Sequence, residues 1–262
     1  MKCYHCGTEA TGYEHIPPKS FFPEGSREEL ITVPSCDLHN QKKSKDDEYV
    51  RMVFLSSILT DGNESLVKLK EKNARALERA GERILQADLS KQQIEQFILI
   101  ANQFKTDPIG GAKAFDYLQK NNILNVGLLG LANKETQPEI VKDNEGNDVA
   151  TASFLSDYDR IVNFFENLSR GLYFHKLGKR WVGNVTVLPH FFLKSDAQEE
   201  DKYKSEYFIK HLNKNEAEGK NKNFFYFDGF NDINPKTHEI DRIFFNFCIF
   251  DTFKITAVFP LN

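Results

Sequence analysis

The sequence predicts an α+β fold with short strands at the N-terminus, helices in the centre and an antiparallel sheet with helices at the C-terminus. Four of the nine prolines lie before residue 35, and this density favours short strands and loops there. From about Glu64, apolar residues recur at helical spacing among Lys, Glu and Ala. After residue 180, runs rich in Phe, Ile and Val alternate with turn residues, which is typical of antiparallel strands packed on a helix.

The composition is that of a folded globular protein. Of the 262 residues, 40% are hydrophobic and 27% are charged, and the length suits one large domain or two small ones. The net charge of −4 excludes a globally basic nucleic-acid coat but not a local basic site. The longest apolar runs, Phe97–Ala101 and Ile243–Phe250, are shorter than the roughly 18 residues that cross a bilayer, and no apolar signal follows Met1. We therefore expect a cytoplasmic protein that has no membrane partner.

The elements are predicted from periodicity and from capping residues. Ser90 with Gln93 is a capping box, Ser156 starts a later helix, and Gly178 is placed to end that helix. The predicted helices are Asp37 to the Asp61-Gly62-Asn63 turn, Glu64–Gln86, Ser90 to about Lys105, Ser156 to about Lys176, and Gln198–Leu212. The predicted strands are Trp181–Phe192, Phe224–Phe230, Ile240–Phe250 and Lys254–Phe259, with a turn at Asp107–Gly111 and a loop or hairpin tip at Lys142–Asp148.

This order of elements divides the chain into three predicted segments. Residues 1–60 form an N-terminal module, residues 61–150 a helical linker region, and residues 151–262 an α+β accessory or regulatory region. The 23 Phe residues imply a sizeable core, and the Phe-rich strands favour a core or a dimer face over a surface that stacks bases. A homodimer or a regulatory partner bound through the C-terminal region is therefore left open.

Three of the four cysteines lie in the first 36 residues, where they form part of a metal-binding pattern. Cys3 and Cys6 form one chelating pair, Cys36 and His39 form a second, and 29 residues separate the pairs. In a cytoplasmic chain this pattern favours a metal site over disulfides. Three thiolates and one imidazole predict a tetrahedral Zn²⁺ site that has no open position and is therefore structural. His5 is a weaker alternative ligand, and Cys248, in an apolar run, is predicted to be a buried core thiol.

The residues around these pairs resemble the HNH endonuclease family, in its zinc-containing bacterial ββα-metal branch. Tyr13-Glu14-His15-Ile16-Pro17-Pro18-Lys19-Ser20 lies between the pairs, and Asn40-Gln41-Lys42-Lys43-Ser44-Lys45-Asp46-Asp47-Glu48-Tyr49 follows the second. The resemblance covers residues 3 to about 51, roughly a fifth of the chain. It implies a ββα-metal module over residues 1–60, in which a hairpin and a helix surround the active site.

The resemblance implies a role for each of several residues. His15 would be the general base that takes a proton from the attacking water, which suits an imidazole at neutral pH. Glu14, in place of the usual Asp, and Asn40 would bind a catalytic Mg²⁺ or Mn²⁺ through oxygen atoms. The implied contacts with backbone phosphates come from Lys19, Lys42, Lys43 and Lys45.

The sequence departs from the family pattern in ways that leave alternatives open. The family has an Asn shortly before the second pair, whereas here a backbone carbonyl, Glu29 or Thr32 must take its place. The second pair also ends in His39 rather than Cys, which zinc tolerates. Asn40 could instead be a helix N-cap. The lysines before Asp46 could form an ordinary solvated face, since residues 1–51 hold seven Lys or Arg and nine Asp or Glu.

We therefore expect a metal-dependent HNH-type endonuclease that hydrolyses phosphodiester bonds of DNA, with RNA left open as a substrate. By analogy alone, a role in restriction or antiviral defence would suit a small nuclease that carries a large accessory region. One alternative is a zinc-stabilised nucleic-acid or protein binding module that does not cut. The other is an effector that a partner or a small ligand activates through residues 150–262.

Overall fold

The structure is a computed structural model that describes residues 1–85, 90–107, 109–111, 113–114, 117, 121, 136–142, 148–154, 156–192 and 198–261. It contains both helices and sheets, which confirms the α+β class. The helices are α1 (Ser44–Leu55), α2 (Val67–Leu85), α3 (Lys91–Thr106), α4 (Tyr158–Leu177) and α5 (Glu199–Ile209). The strands are β1 (Gly12–Ile16), β2 (Ile31–Ser35), β3 (Thr136–Lys142), β4 (Asp148–Phe154), β5 (Thr186–Pro189), β6 (Phe225–Ile233), β7 (Ile240–Ile249) and β8 (Phe253–Pro260).

The chain divides into two compact units, and this division differs from the three predicted segments. The first unit contains residues 1–51, 64–66 and 159–262, and the second contains residues 52–63 and 67–158. Most of the predicted N-terminal and C-terminal segments therefore belong to the same unit. In the described part of the chain, no helix is both long and apolar enough to span a membrane.

An antiparallel sheet of order β5-β8-β7-β6 forms the core of the first unit. Adjacent residues of β7 point to opposite faces because side chains alternate along a strand. Phe247 packs near Phe165 of α4, with ring centroids 5.9 Å apart, whereas Phe244 packs near Phe208 of α5, at 5.4 Å. The sheet thus lies between two helices, and Cys248 is fully buried in it, as predicted.

The β1–β2 hairpin packs on α4 at a glycine. The two strands are antiparallel, and His15 lies opposite Thr32 in their register. The side chain of Ile16, which ends β1, lies so close to Gly171 that a Cβ there would be 2.5 Å from Ile16 Cδ1. Pro17 follows Ile16 and has no backbone N–H to continue the ladder, so the strand ends there.

The second unit contains α2, α3 and the β3–β4 hairpin. The predicted capping box is confirmed, because Ser90 Oγ accepts from the Gln93 N–H and the Gln93 side chain accepts from the Ser90 N–H. Strands β3 and β4, which the sequence analysis did not predict, pair antiparallel from Thr136↔Phe154 to Lys142↔Asp148. The central residues of the predicted loop, 143–147, lie outside the described residues.

Three predicted elements are corrected. The helix from Asp37 is interrupted, since Asp37–His39 is a 3-10 turn and Asn40 (φ −123°, ψ −76°) has non-helical angles, so α1 begins at Ser44. The strand over Trp181–Phe192 is reduced to β5 because Pro189 ends its pairing and His190–Phe192 is a 3-10 turn. Within the predicted Asp107–Gly111 turn, residues 109–111 are helical, and Asp107 Oδ1 caps them by accepting from the Gly110 N–H.

We predict that Gly171→Ala destabilises the protein even though Ala is the better helix former. Overpacking costs about 1–3 kcal/mol, which exceeds the gain in helix propensity of about 1 kcal/mol. Equilibrium unfolding in urea measures the change. The same substitution in an Ile16→Ala background should cost less, because Ala lacks both Cδ1 and Cγ1, which a Cβ at residue 171 would approach to 2.5 and 2.6 Å. A Gly171→Ala protein as stable as wild type would contradict the close packing.

A second prediction concerns His190, which joins α5 to the sheet. Ser205 Oγ lies 2.8 Å from His190 Nδ1, and His190 Nε2 lies 2.8 Å from Thr256 Oγ1. Because the Thr256 hydroxyl donates to Asn246 Oδ1, it accepts from Nε2–H, and Ser205 donates to Nδ1. Burial, assisted by the charge of Lys254, lowers the pKa of His190 from 6.5 to about 4.

A pKa that is lower in the folded chain means that the unfolded chain binds the proton first, so stability falls as the pH drops from about 6.5 towards 4. Between pH 7.5 and 5, wild type should lose roughly 1–2 kcal/mol more of its unfolding free energy than His190→Gln does. Urea unfolding at both pH values tests this, with His238→Asn as the exposed-histidine control. Equal losses in wild type and His190→Gln would refute it.

Candidate metal centre and adjacent cavity

The first chelating pair lies on a tight turn at the N-terminus. The Cys3 N–H donates to the Thr8 carbonyl at 2.8 Å, and the Gly7 N–H donates to the Cys3 carbonyl at 3.0 Å. Gly7 has φ of +75°, a conformation that favours glycine, and it allows the chain to turn back after Cys6. The Tyr4 N–H donates to the carbonyl of Pro34 in β2, which attaches this turn to the hairpin.

The second chelating pair follows β2 directly and faces the first. The Asp37–His39 turn is closed by a hydrogen bond from the His39 N–H to the Cys36 carbonyl. The Sγ atoms of Cys6 and Cys36 are 3.7 Å apart, and His39 Nδ1 lies 3.3 Å from Cys36 Sγ and 3.9 Å from Cys3 Sγ. All four ligand atoms lie within 4.8 Å of one another.

This four-residue cluster could hold a metal ion, and its geometry is compatible with zinc. A tetrahedral ion with Zn–S bonds of about 2.3 Å separates two sulfurs by roughly 3.8 Å. Burial would raise the pKa of the Cys6 thiol, but hydrogen bonds with Thr8, Cys3 and Cys36 outweigh it and lower this pKa to about 7. A thiol with such a pKa reaches the thiolate form that binds metal at neutral pH.

His5 lies beside the cluster rather than within it. Its ring stacks on that of His39, with centroids 3.9 Å apart and an angle of 18° between the planes. Its backbone carbonyl accepts a hydrogen bond from Arg180 Nη1 at 3.4 Å. The ring therefore supports the orientation of a ligand.

A cavity of about 370 Å³ lies between β1 and α1 in the first unit. Its walls come from β1, the residues after β1, Asn40 and one face of α1. The lining residues are Tyr13, Glu14, His15, Pro18, Lys19, Ser20, Asn40, Ser44, Asp47, Glu48 and Arg51. The structure thus brings together four of the predicted site residues, namely Glu14, His15, Lys19 and Asn40.

His15 is half-buried at the wall of this cavity. Burial, with a smaller effect from the charge of Lys19, lowers the pKa of its imidazole below the usual 6.5. At neutral pH the ring is therefore uncharged and has a nitrogen lone pair that can accept a proton.

Glu14 is buried, with 4% of its surface exposed, and it already has partners. Lys43 Nζ forms an ion pair with Glu14 Oε1, and the Tyr4 hydroxyl donates to Glu14 Oε2 at 3.1 Å. Lys43 Nζ also pairs with Asp47 Oδ1 at 3.3 Å, so two buried carboxylates share one ammonium group. Burial raises the pKa of Glu14 to about 7 even though Lys43 acts in the opposite direction, and burial raises that of Asp47 too.

Asn40 connects the hairpin to the segment that precedes α1. Its side-chain Nδ2 donates to the carbonyl of Tyr13 in β1 at 3.1 Å. This bond orients the amide so that Oδ1 remains available as an acceptor. The alternative of a helix N-cap is wrong, because α1 begins at Ser44 and the amide bonds to β1. Of the residues considered as replacements for the Asn of the HNH pattern, Thr32 lies opposite His15, and Glu29 pairs with Lys220.

The four predicted phosphate-binding lysines occupy different environments. Lys19 is exposed and lines the cavity, whereas Lys42 and Lys45 are exposed and do not line it. The Lys43 side chain is only 11% exposed and pairs with Glu14 and Asp47, so its ammonium group is engaged within the protein.

The sequence analysis missed Asp47 and Arg51 as residues of this site. Both lie on the face of α1 that begins at Ser44, since residues 44, 47, 48 and 51 follow the i, i+3, i+4, i+7 spacing of one helical face. That polar stripe was visible in the sequence, but only the wall formed by β1 shows that the stripe lines a cavity.

Comparison with protein-family models, with curated proteins and with solved structures finds no match for this chain. The HNH interpretation therefore depends on the residues and on their geometry.

We predict that the purified chain contains one zinc ion, and that Cys36→Ala abolishes zinc binding. Removal of one thiolate leaves three ligands, and loss of a structural metal removes folding free energy, so the Tm should fall by on the order of 10 °C. Elemental analysis and thermal unfolding measure both effects.

The matched control for this prediction is Cys248→Ala, which removes a buried thiol outside the cluster. It should retain the metal whatever its effect on Tm. Equal metal content in Cys36→Ala and Cys248→Ala would rule out the four-residue site.

Proposed function

We propose that this protein is a metal-dependent endonuclease of the HNH type that hydrolyses phosphodiester bonds of DNA, with RNA open as a second substrate. One observation carries the proposal: His15, Glu14 and Asn40 line the same cavity, between the hairpin that connects the two chelating pairs and the helix that follows the second pair. The resemblance implies this set of residues, and the fold brings its members to one cavity although 24 residues lie between His15 and Asn40.

In this proposal His15 acts as the general base. Its neutral, half-buried imidazole takes a proton from a water molecule, which then attacks the phosphorus atom. Thr32, opposite His15 on β2, and the hydrogen bond of Asn40 to Tyr13 keep β1 in position. The four-ligand cluster would hold Zn²⁺ and stabilise the module without contact with the reacting atoms.

Glu14 and Asn40 would hold the catalytic Mg²⁺ or Mn²⁺. The buried carboxylates of Glu14 and Asp47 share a single ammonium group, and a bound cation would supply the second positive charge that the ionised forms of both carboxylates require. Carboxylate and amide oxygens are also the ligands that these ions prefer. The chemistry supplied by the bound ion is stabilisation of the charge that develops on the phosphate and on the leaving 3′ oxygen.

A second candidate function is a metal-stabilised binding module that does not cut. The observation that favours it is the engagement of Glu14 Oε1 by Lys43, since a cation must displace or share that ammonium group. The same cavity would then recognise an anionic ligand without hydrolysing it.

Cleavage of supercoiled plasmid by zinc-loaded protein tests the proposal. Wild type should nick or linearise the plasmid with Mg²⁺ or Mn²⁺ and not with EDTA. His15→Ala should lower the rate by about 10²–10⁴-fold, the usual contribution of a general base. His175→Ala, which removes an exposed histidine on α4, should cut like wild type.

Equal cutting by wild type and His15→Ala would exclude His15 as the base. If the zinc-loaded wild type cuts neither DNA nor RNA with either cation, the binding-module interpretation replaces the nuclease.

A further inference from the structure

The most unusual side chain in the cavity is Arg51 of α1. Only 6% of its surface is exposed, and its Nε and Nη1 atoms are sealed from solvent without a hydrogen-bond partner among the described residues. The guanidinium forms no ion pair within the described part of the chain. A buried charge without partners is strongly unfavourable, and buried donors in proteins are normally bonded.

The acidic groups nearby do not neutralise this charge. Asp47 and Glu14 pair with Lys43. Glu48, one turn before Arg51 on α1, is exposed and acts on the guanidinium only through its field, without an ion pair. His15 is half-buried and neutral, and Lys19 adds a second positive charge to the same cavity. The wall around Arg51 is therefore suited to an anion.

We propose that Arg51 is a phosphate-binding residue, and that its guanidinium binds a non-bridging oxygen of a backbone phosphodiester held in the cavity beside His15. The assignment of a polynucleotide as the source of this phosphate rests on the proposed function. The planar guanidinium presents several N–H donors in a fixed arrangement that matches two phosphate oxygens, whereas a lysine offers a point charge.

Phosphate binding is thereby assigned to Arg51 rather than to most of the lysines that the resemblance implies. The lysines implied by the resemblance lie outside the cavity, except Lys19, and Lys43 is already paired. Arg51 lies seven residues after Ser44 on the same helical face, and both residues line the cavity that His15 also lines. A phosphodiester bound there would place its phosphorus within reach of a water held by His15.

Arg51→Met separates a binding role from a structural role. If Arg51 serves a ligand, the free Arg51→Met protein should be as stable as wild type or more stable, because the substitution removes an unpaired buried charge. If Arg51 serves the fold, the free protein should lose stability. Thermal unfolding of the full zinc-loaded chain measures this directly.

Inorganic phosphate is the probe for binding, titrated to 50 mM against chloride at matched ionic strength. We expect phosphate to raise the Tm of wild type by about 3 °C, as expected for a ligand with millimolar affinity. Arg51→Met should lose this rise. Arg75→Met, the same substitution at an exposed arginine of α2, should retain it.

An equal phosphate-induced rise in wild type and Arg51→Met, or no rise in wild type, overturns the proposal. Should Arg51→Met fail to fold, Arg51→Lys decides, because it keeps the charge and loses the forked donors. That variant should show less than half of the wild-type rise, and a full rise overturns the proposal too.

The plasmid assay and the phosphate titration distinguish failure of the nuclease proposal from failure of the phosphate-site proposal. If the plasmid assay shows no cleavage but the phosphate response depends on Arg51, the nuclease proposal fails and the phosphate site stands. If cleavage is observed, Arg51→Lys should lower kcat/KM by about 10²–10³-fold, as loss of a donor to a developing charge does. Unchanged kcat/KM would remove Arg51 from the site while the nuclease stands.

Discussion

The convergence of four ligand side chains from the two ends of the β1–β2 hairpin is the constraint on which the candidate site depends. Cys3 and Cys6 precede β1, whereas Cys36 and His39 follow β2, and a bound ion would close the intervening loop. Asn40 follows His39 directly, so the position of the second pair also fixes where the chain leaves for α1. The position of Asn40 relative to β1 therefore depends on the cluster, although neither His15 nor Asn40 is one of its four ligands.

The cavity combines carboxylates that are paired with one arginine that has no ion-pair partner within the described part of the chain. Lys43 forms ion pairs with the buried carboxylates of Glu14 and Asp47, and the Tyr4 hydroxyl donates a hydrogen bond to Glu14. Both carboxylates therefore have polar partners. Among the described residues, Arg51 Nε and Nη1 have no hydrogen-bond partner. A buried arginine without partners lowers stability, and an apolar side chain of similar volume would suit the fold better. Proteins retain such a residue at functional sites, where a ligand supplies the missing partner. In the proposed role of Arg51, stability and phosphate binding make opposite demands on this residue.

Local signals in the sequence predicted much of the fold. Short-range propensities and the alternation of apolar side chains are visible in a single sequence. They predicted the capping box at Ser90, the end of α4 at Gly178, where φ is positive, and the Phe-rich strands β6 to β8. The spacing of the two chelating pairs likewise predicted the four-ligand cluster. The predicted helix from Asp37 failed because the second pair requires a 3-10 turn, and this tertiary requirement overrides helical periodicity. The partners of Lys43 and the isolation of Arg51 depend on contacts across the fold, which periodicity does not encode.

The large C-terminal segment acts as a scaffold for the N-terminal module within the same compact unit. Four contacts distributed over the module support this interpretation. They are Ile16 against Gly171, Arg160 with Asp46 at 2.7 Å, Asn221 with the Ser26 carbonyl at 2.9 Å, and Phe21 against Phe164 at 5.3 Å between ring centroids. A hairpin and one helix bury little apolar surface by themselves, and small modules of this size need such support or a metal. Residues 159–262 therefore contribute to the geometry of the cavity through packing, and substitutions at buried positions of α4 such as Gly171 should alter the site although they leave every lining residue intact.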